Sequence, residues 1–195
     1  MRDSFVRSVL ELAKNDKNVE LVTGDLGFGV LRPFWEAVPD QFLDVGIAEQ
    51  NMTAMAAGMA LEGKTVFTYS IGNFPTLRCI EQIRNDCAYH GANVNIVCVG
   101  GGFVYGSLGM SHHATEDLST MRSLPDVAVF APADKVEASA VAKAVAEYPW
   151  HLLYPAGPRR REGHPGGYRR IQGGQGHPRL RRHPCGHLLH RRHCG

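Results

Sequence analysis

The chain has 195 residues and a formal net charge of +2, and this length is sufficient for one domain with a hydrophobic core. The charge is unevenly distributed: residues 1–150 hold 11 basic and 18 acidic side chains, whereas residues 151–195 hold 10 arginines and a single acid. The acidic first part argues against a nucleic-acid-binding domain, and no apolar run approaches the roughly 18 residues of a membrane span. We therefore expect one domain over residues 1–150, followed by a separate C-terminal segment.

Helical and strand patterns alternate along residues 1–150. Their apolar spacing predicts helices over 3–16, 48–61, 76–90 and 135–148, and strands over 19–24, 42–46, 64–70, 93–101 and 126–134. The strands show little alternation of polar and apolar residues, which is typical of a sheet covered by helices on both faces. The order of elements predicts an α/β fold with a doubly wound, mostly parallel sheet.

A long stretch without periodicity, "GGGFVYGSLGMSHHATED", follows the strand at 93–101. Long loops inside a compact domain are usually functional, and ligands of open α/β sheets collect at the carboxyl ends of strands. The loop carries His112 and His113, which are adjacent and therefore cannot both face one small site. A solvent-exposed histidine pair is an equal alternative from the residues alone.

The first turn of the helix at 48–61 contains one acid, Glu49. An acid at this position stabilises the positive end of the helix dipole, or it acts as a buried carboxylate on a bound base. The same helix has a row of small residues, which allows close packing either onto the sheet or against another chain. The glycine clusters "GDLGFG" and "GGGFVYGSLG" match no phosphate-binding motif and indicate turns at strand ends.

The five cysteines are irregularly spaced and form no zinc motif. Cys98 lies in an apolar run and is expected to be a buried free thiol. These features favour a reducing compartment, and a cytoplasmic location is the expectation.

Three segments together resemble a known family. "VTGDLG", "DVGIAEQNMTAMAAGMALEGKTVFTYS" and "GMSHHATEDLSTMRSLPDVAVFAPAD" are similar to the pyrimidine-binding domain of thiamine-diphosphate enzymes. The likeness is greatest to transketolase, above all to the carboxyl-terminal subunits of split transketolases, and it extends to 1-deoxyxylulose-5-phosphate synthase. It covers about residues 1–148.

The resemblance implies roles for particular residues. Glu49 would hydrogen-bond the ring nitrogen of the cofactor's aminopyrimidine, so that the neighbouring amino group can remove the acidic proton of the thiazolium. Asp25 would lie near the cofactor, and His112 would meet the intermediate derived from the substrate. An aromatic from "VFTYSIGNF" would support the aminopyrimidine, and the candidates are Phe67, Tyr69 and Phe74.

The resemblance also implies a reaction and partners. It implies transfer of a two-carbon ketol unit between sugar phosphates with thiamine diphosphate. The magnesium ligands would come from a second, diphosphate-binding subunit, because the Gly-Asp-Gly motif is absent here, and no metal ligand is expected in this chain. The isolated chain would then be inactive, and the assembly a homodimer or heterotetramer. The alternatives are 1-deoxyxylulose-5-phosphate synthase, a 2-oxoacid dehydrogenase component, or a non-catalytic partner-binding fragment.

One position departs from the family pattern. Where the family often has an acid and then Gly-Pro-Thr before the histidine, this chain has "YGSLGMSH". Leu108 or a neighbour therefore replaces the aspartate that commonly meets the sugar hydroxyls, and the sugar specificity stays open.

The segment 151–195 is rich in Arg, His, Gly and Pro, and we expect it to be disordered. Its composition, and the loss of the family pattern after Trp150, suggest a shift of reading frame there. A nucleic-acid-binding arm is the less favoured alternative, because the acidic domain beside it opposes binding.

Overall fold

The fold is a six-stranded, fully parallel sheet in the order β2-β1-β3-β4-β6-β5. The computed structural model describes residues 1–147 and 151–156. The strands are β1 (Val19–Thr23), β2 (Phe42–Asp44), β3 (Thr65–Ile71), β4 (Val94–Val99), β5 (Val127–Val129) and β6 (His151–Ala156). The helices are α1 (Arg2–Asn15), α2 (Phe28–Ala37), α3 (Glu49–Leu61), α4 (Ile80–Gln82), α5 (Asp117–Arg122) and α6 (Lys135–Glu147).

Helices cover both faces of the sheet. One hydrophobic cluster joins α1, α2 and α6 to one face, and a second joins α3, α5 and the helical segment around α4 to the other. Strands β1 and β4 are buried along their whole length because helices lie on both sides. The doubly wound α/β fold predicted from the sequence is thus confirmed.

Some helices differ from the prediction. Helix α2 was not expected, because Gly27, Gly29 and Pro33 are turn signals, yet Pro33 is accommodated within it. The helix expected over 76–90 is a composite of a 3₁₀ turn (Leu77–Cys79), α4 and a π-helical stretch (Ile83–Ala88). The row of small residues in α3 divides between two sides. Ala56 and Ala57 are buried on the sheet, and Ala54 and Gly58 face outward.

Strand β6 extends the sheet beyond the expected domain boundary at residue 150. It pairs with β4 on one side and with β5 on the other. Residues 151–156 therefore form a strand, in contrast to the disorder expected for them. The rest of the expected disordered segment, 157–195, lies outside the described residues. Within the described part of the chain, no helix is both long and apolar enough to cross a membrane.

Candidate functional site

The site lies where the chain leaves the carboxyl ends of β1, β2, β3 and β4. The strand order reverses between β1 and β3, since the chain moves outward from β1 to β2 and then returns to β3. Such a reversal opens a crevice above the sheet, where open α/β sheets bind ligands. Four connections reach this edge, and they contain most of the residues singled out by the sequence.

Glu49 is the first residue of α3 and only 2% exposed. The hydrogen bond of its carboxylate goes to the side chain of Arg78 rather than to the helix backbone. A Cβ atom added at Gly24 would lie 3.1 Å from the Gly46 carbonyl oxygen and 3.7 Å from Glu49 Cγ. The glycine at the end of β1 therefore leaves the space into which the acid is packed. Simple helix capping does not account for this carboxylate.

Arg78 is the cationic partner of Glu49. Its Nη1 donates a hydrogen bond to Glu49 Oε2 at 2.7 Å, and its side chain is 44% exposed, in contrast to the buried acid. The guanidinium carbon also lies 4.5 Å from the centre of the Phe74 ring. Sequence reasoning missed Arg78, although an arginine in the first turn of the apolar pattern at residues 76–90 was an available signal.

Phe74 brings the third candidate into the group. Its ring lies edge-to-face with the ring of His112, with 5.0 Å between the centroids. The turn that contains Phe74 is tied to the histidine loop, because Asn73 Nδ2 donates to the Ser111 carbonyl oxygen at 2.9 Å. Glu49, Phe74 and His112, which are far apart in sequence, are therefore linked through Arg78 into one group.

The loop carrying the histidines closes on itself at its base. Gly102 and Ala114 exchange two backbone hydrogen bonds of 2.8 and 2.9 Å. Above this bridge the two histidines diverge, as expected for neighbouring residues. The His113 ring lies 4.8 Å from Phe103 and its Nε2 is 3.3 Å from the Gly106 carbonyl oxygen, whereas His112 faces Phe74.

The outer rim of this loop is apolar. Leu108 is 56% exposed and Met110 is 84% exposed, so this rim presents hydrocarbon to solvent. Glu116, near the end of the loop, accepts a hydrogen bond from Thr115, and this bond lowers the pKa of the Glu116 carboxyl.

Asp25 lies at the same edge but outside this group. It is exposed and has a φ of +53°, which is uncommon for a residue other than glycine. Asp44 braces the turn, since its Oδ1 accepts hydrogen bonds from the Asp25 nitrogen at 2.9 Å and the Gly46 nitrogen at 3.0 Å. This bracing connects the ends of β1 and β2 beside Glu49.

Phe67 and Tyr69 are on the opposite face of the sheet from α3. Both belong to the hydrophobic cluster with α1 and α2, and Phe67 packs edge-to-face against Phe5 at 6.1 Å. Burial raises the pKa of the Tyr69 hydroxyl far above its ordinary value. The structure does not bring these two aromatics together with Glu49. Of the three candidate aromatics, Phe74 is the one that joins the group of Glu49 and Arg78.

Beneath the site lies a set of buried polar and thiol groups. Ser70 Oγ and Asn73 Oδ1 are buried and have no hydrogen-bond partner within the described residues. Burial raises the pKa of the Cys79 thiol to about 11, so this sulfur stays protonated and unreactive at neutral pH. Cys98, expected to be a buried thiol, forms no disulfide and is fully buried. In the described ranges, no cluster of three or more His, Cys, Asp or Glu side chains is arranged to hold a metal ion.

Comparison with known proteins identifies the family. Residues 1–157 match the transketolase pyrimidine-binding domain. The chain belongs to this family.

Relatives and solved structures agree with the assignment. The chain is 38% identical to an apulose-4-phosphate transketolase subunit of Phocaeicola vulgatus over 149 residues, which cover 76% of this chain and 48% of that protein. It is 39% identical to a "Putative transketolase C-terminal section" of Methanocaldococcus jannaschii, covering 76% of this chain and 47% of that protein. The structure of a "Split gene transketolase, inactive beta4 tetramer" superposes with a TM-score of 0.71 at 34% identity, covering 79% of this chain and 49% of that one.

The match covers most of this chain but only part of each relative. The chain spans about half the length of these split-transketolase relatives. It also shows 36% identity to "1-deoxy-D-xylulose-5-phosphate synthase" of Desulfotalea psychrophila, covering 68% of this chain and 20% of that enzyme. Both enzyme types named in the resemblance thus appear among its relatives.

Proposed function

We propose that this chain supplies the pyrimidine-binding half of a thiamine-diphosphate site in a transketolase-type enzyme. The observation that carries the proposal is the group of Glu49, Arg78, Phe74 and His112 at the strand-order reversal. The reaction would be transfer of a two-carbon ketol unit between sugar phosphates.

The residues present suit the aminopyrimidine end of this cofactor. A buried carboxylate at Glu49 is a partner for a ring nitrogen, and Phe74 offers an aromatic surface for a flat heterocycle. Ser70 Oγ and Asn73 Oδ1, which have no partner in the described residues, are further polar atoms for such a ligand. When bound, thiamine diphosphate supplies the carbon nucleophile and the electron sink for the two-carbon unit.

Each residue then has a defined task. Glu49 shares a proton with the ring nitrogen, and its burial strengthens that hydrogen bond because water does not compete for the carboxylate. His112 is placed at the rim, where it can donate to or accept from a sugar hydroxyl or carbonyl oxygen. Asp25 lies at the same edge of the sheet, in the turn that Asp44 braces beside Glu49, where its exposed carboxylate would lie near the cofactor.

The magnesium and diphosphate would be held by a second subunit. The described residues contain no cluster of potential metal ligands, and a diphosphate needs such a cluster or its equivalent. The relatives named as a transketolase subunit or as a C-terminal section are consistent with this division, and one related structure is described as an inactive tetramer of a single chain type. We therefore propose that the isolated chain lacks transferase activity.

Calorimetry tests the division of the site. The full chain titrated with thiamine diphosphate and magnesium should bind weakly or not at all. Adding a diphosphate-binding transketolase subunit should produce stoichiometric binding. Tight binding to the isolated chain would contradict the half-site, and absence of binding in the mixture would contradict the proposed function.

A second candidate, 1-deoxyxylulose-5-phosphate synthase, is favoured by the apolar rim at Leu108 and Met110. A rim without an acid is poorly suited to bind the hydroxyls of a ketose donor, whereas pyruvate has none. An assay of the reconstituted pair separates the two. Turnover with a ketose phosphate supports transketolase, and turnover with pyruvate and glyceraldehyde 3-phosphate supports the synthase.

A further inference from the structure

One guanidinium contacts two of the residues that would hold the cofactor. Arg78 Nη1 is 2.7 Å from Glu49 Oε2, and Arg78 Cζ is 4.5 Å from the Phe74 ring centre. We propose that Arg78 is a positioning residue, which sets the carboxylate of Glu49 and the ring of Phe74 in the relative arrangement that an aminopyrimidine requires. This inference rests on the proposed function of the site.

The backbone of Arg78 is itself fixed. Its carbonyl oxygen accepts a hydrogen bond of 3.0 Å from Gln50 Nε2, and Gln50 follows Glu49 in α3. The guanidinium and the carbonyl of one residue are thus attached to two consecutive residues of the helix. This double attachment determines how the segment that begins at Leu77 meets the first turn of α3, and with it the distance between Glu49 and Phe74.

Geometry favours positioning over a purely stabilising role. A buried ion pair is weak evidence for stability, because removing both charges from water offsets much of their attraction. Here the carboxylate of Glu49 is buried within the site, whereas the guanidinium of Arg78 is partly exposed to solvent. The hydrogen bond uses one carboxylate oxygen, Oε2, which leaves the second oxygen available to a ligand. The guanidinium covers one face of Phe74, so a ring that stacks on Phe74 must use the other.

The test is a double-mutant cycle read by cofactor affinity. The full chain is mixed with a diphosphate-binding transketolase subunit, and the dissociation constant of thiamine diphosphate with magnesium is measured by calorimetry. Arg78→Gln should weaken binding by about tenfold to a hundredfold, the range for a hydrogen bond to a charged group. In the Glu49→Ala background, where the hydrogen bond is absent, the same change should matter less than about twofold, because coupled residues are not additive. Arg78→Lys should recover part of the affinity, since it restores the charge.

Two further measurements separate positioning from folding. Arg84→Gln is the matched control, since Arg84 is exposed on the same helical segment and its Nη1 donates to Asn85 Oδ1 rather than to Glu49; its affinity should equal the wild type. In the free chain, NMR should show slow rotation of the Arg78 guanidinium, and Glu49→Ala, which removes the acceptor, should abolish it.

Three outcomes would overturn the inference. Unchanged affinity in Arg78→Gln would remove the role, and equal weakening in both backgrounds would show that Arg78 acts on the fold rather than through Glu49. A freely rotating guanidinium in the wild-type chain would show that the ion pair does not persist in solution. Failure of the wild-type mixture to bind the cofactor is a different result, because it overturns the proposed function and the positioning role together.

Discussion

Replacing Glu49 by glutamine tests the chemistry of the site with the least structural change. The amide has nearly the volume of the carboxyl, and its oxygen can still accept the hydrogen bond from Arg78. What is lost is the charge assistance of that bond. Because Arg78 is 44% exposed and its charge is screened by solvent, we expect a stability loss of only about 1 kcal/mol.

The functional effect should be much larger than the effect on stability. An amide oxygen cannot share a proton with a ring nitrogen as a carboxylate does, so the cofactor's acidic proton should exchange more slowly. A positioned proton-transfer group contributes at least ~10²-fold, which is about 2.7 kcal/mol in the activation barrier. The ratio of these two effects distinguishes a reactive carboxylate from a structural one.

The assay is hydrogen–deuterium exchange at the thiazolium carbon, measured by quenched-flow NMR in the mixture with the diphosphate-binding subunit. Glu62→Gln is the control, since this exposed acid lies at the other end of the same helix. It should leave the exchange rate unchanged. Wild-type exchange in Glu49→Gln, with the cofactor bound, would refute the assignment of Glu49.

Three further predictions concern the fold. A chain that ends at Ala156 should keep the stability of the full chain in urea unfolding, whereas one that ends at Trp150 should be less stable because it lacks the strand between β4 and β5; equal stability of the two would contradict the role of β6. Gly72→Ala should lower the free energy of unfolding by about 1–3 kcal/mol, because its Cβ would lie 2.7 Å from the Cβ of Ala114. An unchanged urea midpoint would show that the loop carrying Ala114 moves aside without cost. Burial raises the pKa of the Cys87 thiol to about 12, whereas the thiol of the unfolded chain ionises from about pH 8.5. The free energy of unfolding should therefore decline as the pH rises above about 8.5. If the wild type and Cys87→Ala show the same dependence on pH between about 8 and 11, this prediction is contradicted.

The class of fold could be predicted from the sequence because it depends on local patterns. Runs such as "NIVCVGG" bury both sides of a strand, and the alternation of such runs with helical spacing leaves few arrangements other than a doubly wound sheet. Glu49 could be singled out for a similar reason, since an isolated acid between an apolar strand and a helix of small residues is visible in the letters alone.

The assembly of the site could not be obtained in this way. In a strand buried on both faces, apolarity does not show which face a side chain occupies, so Phe67 and Tyr69 were indistinguishable from Phe74 as partners of a ring ligand. Their separation follows from the position of β3 between two helical layers. The sequence could not show this, because it depends on contacts between distant segments.

The sequence by itself thus determined the strands β1 to β5, the class of fold and the acid at the start of α3, because each rests on neighbours along the chain. Tertiary structure alone decided that Arg78 meets Glu49 across 29 positions, that Phe74 meets His112, and that β6 lies between β4 and β5. The physical reason is the same in each case. Packing a sheet between two helical layers brings together loops that have no periodicity of their own, and only their contacts show which of their side chains share a site.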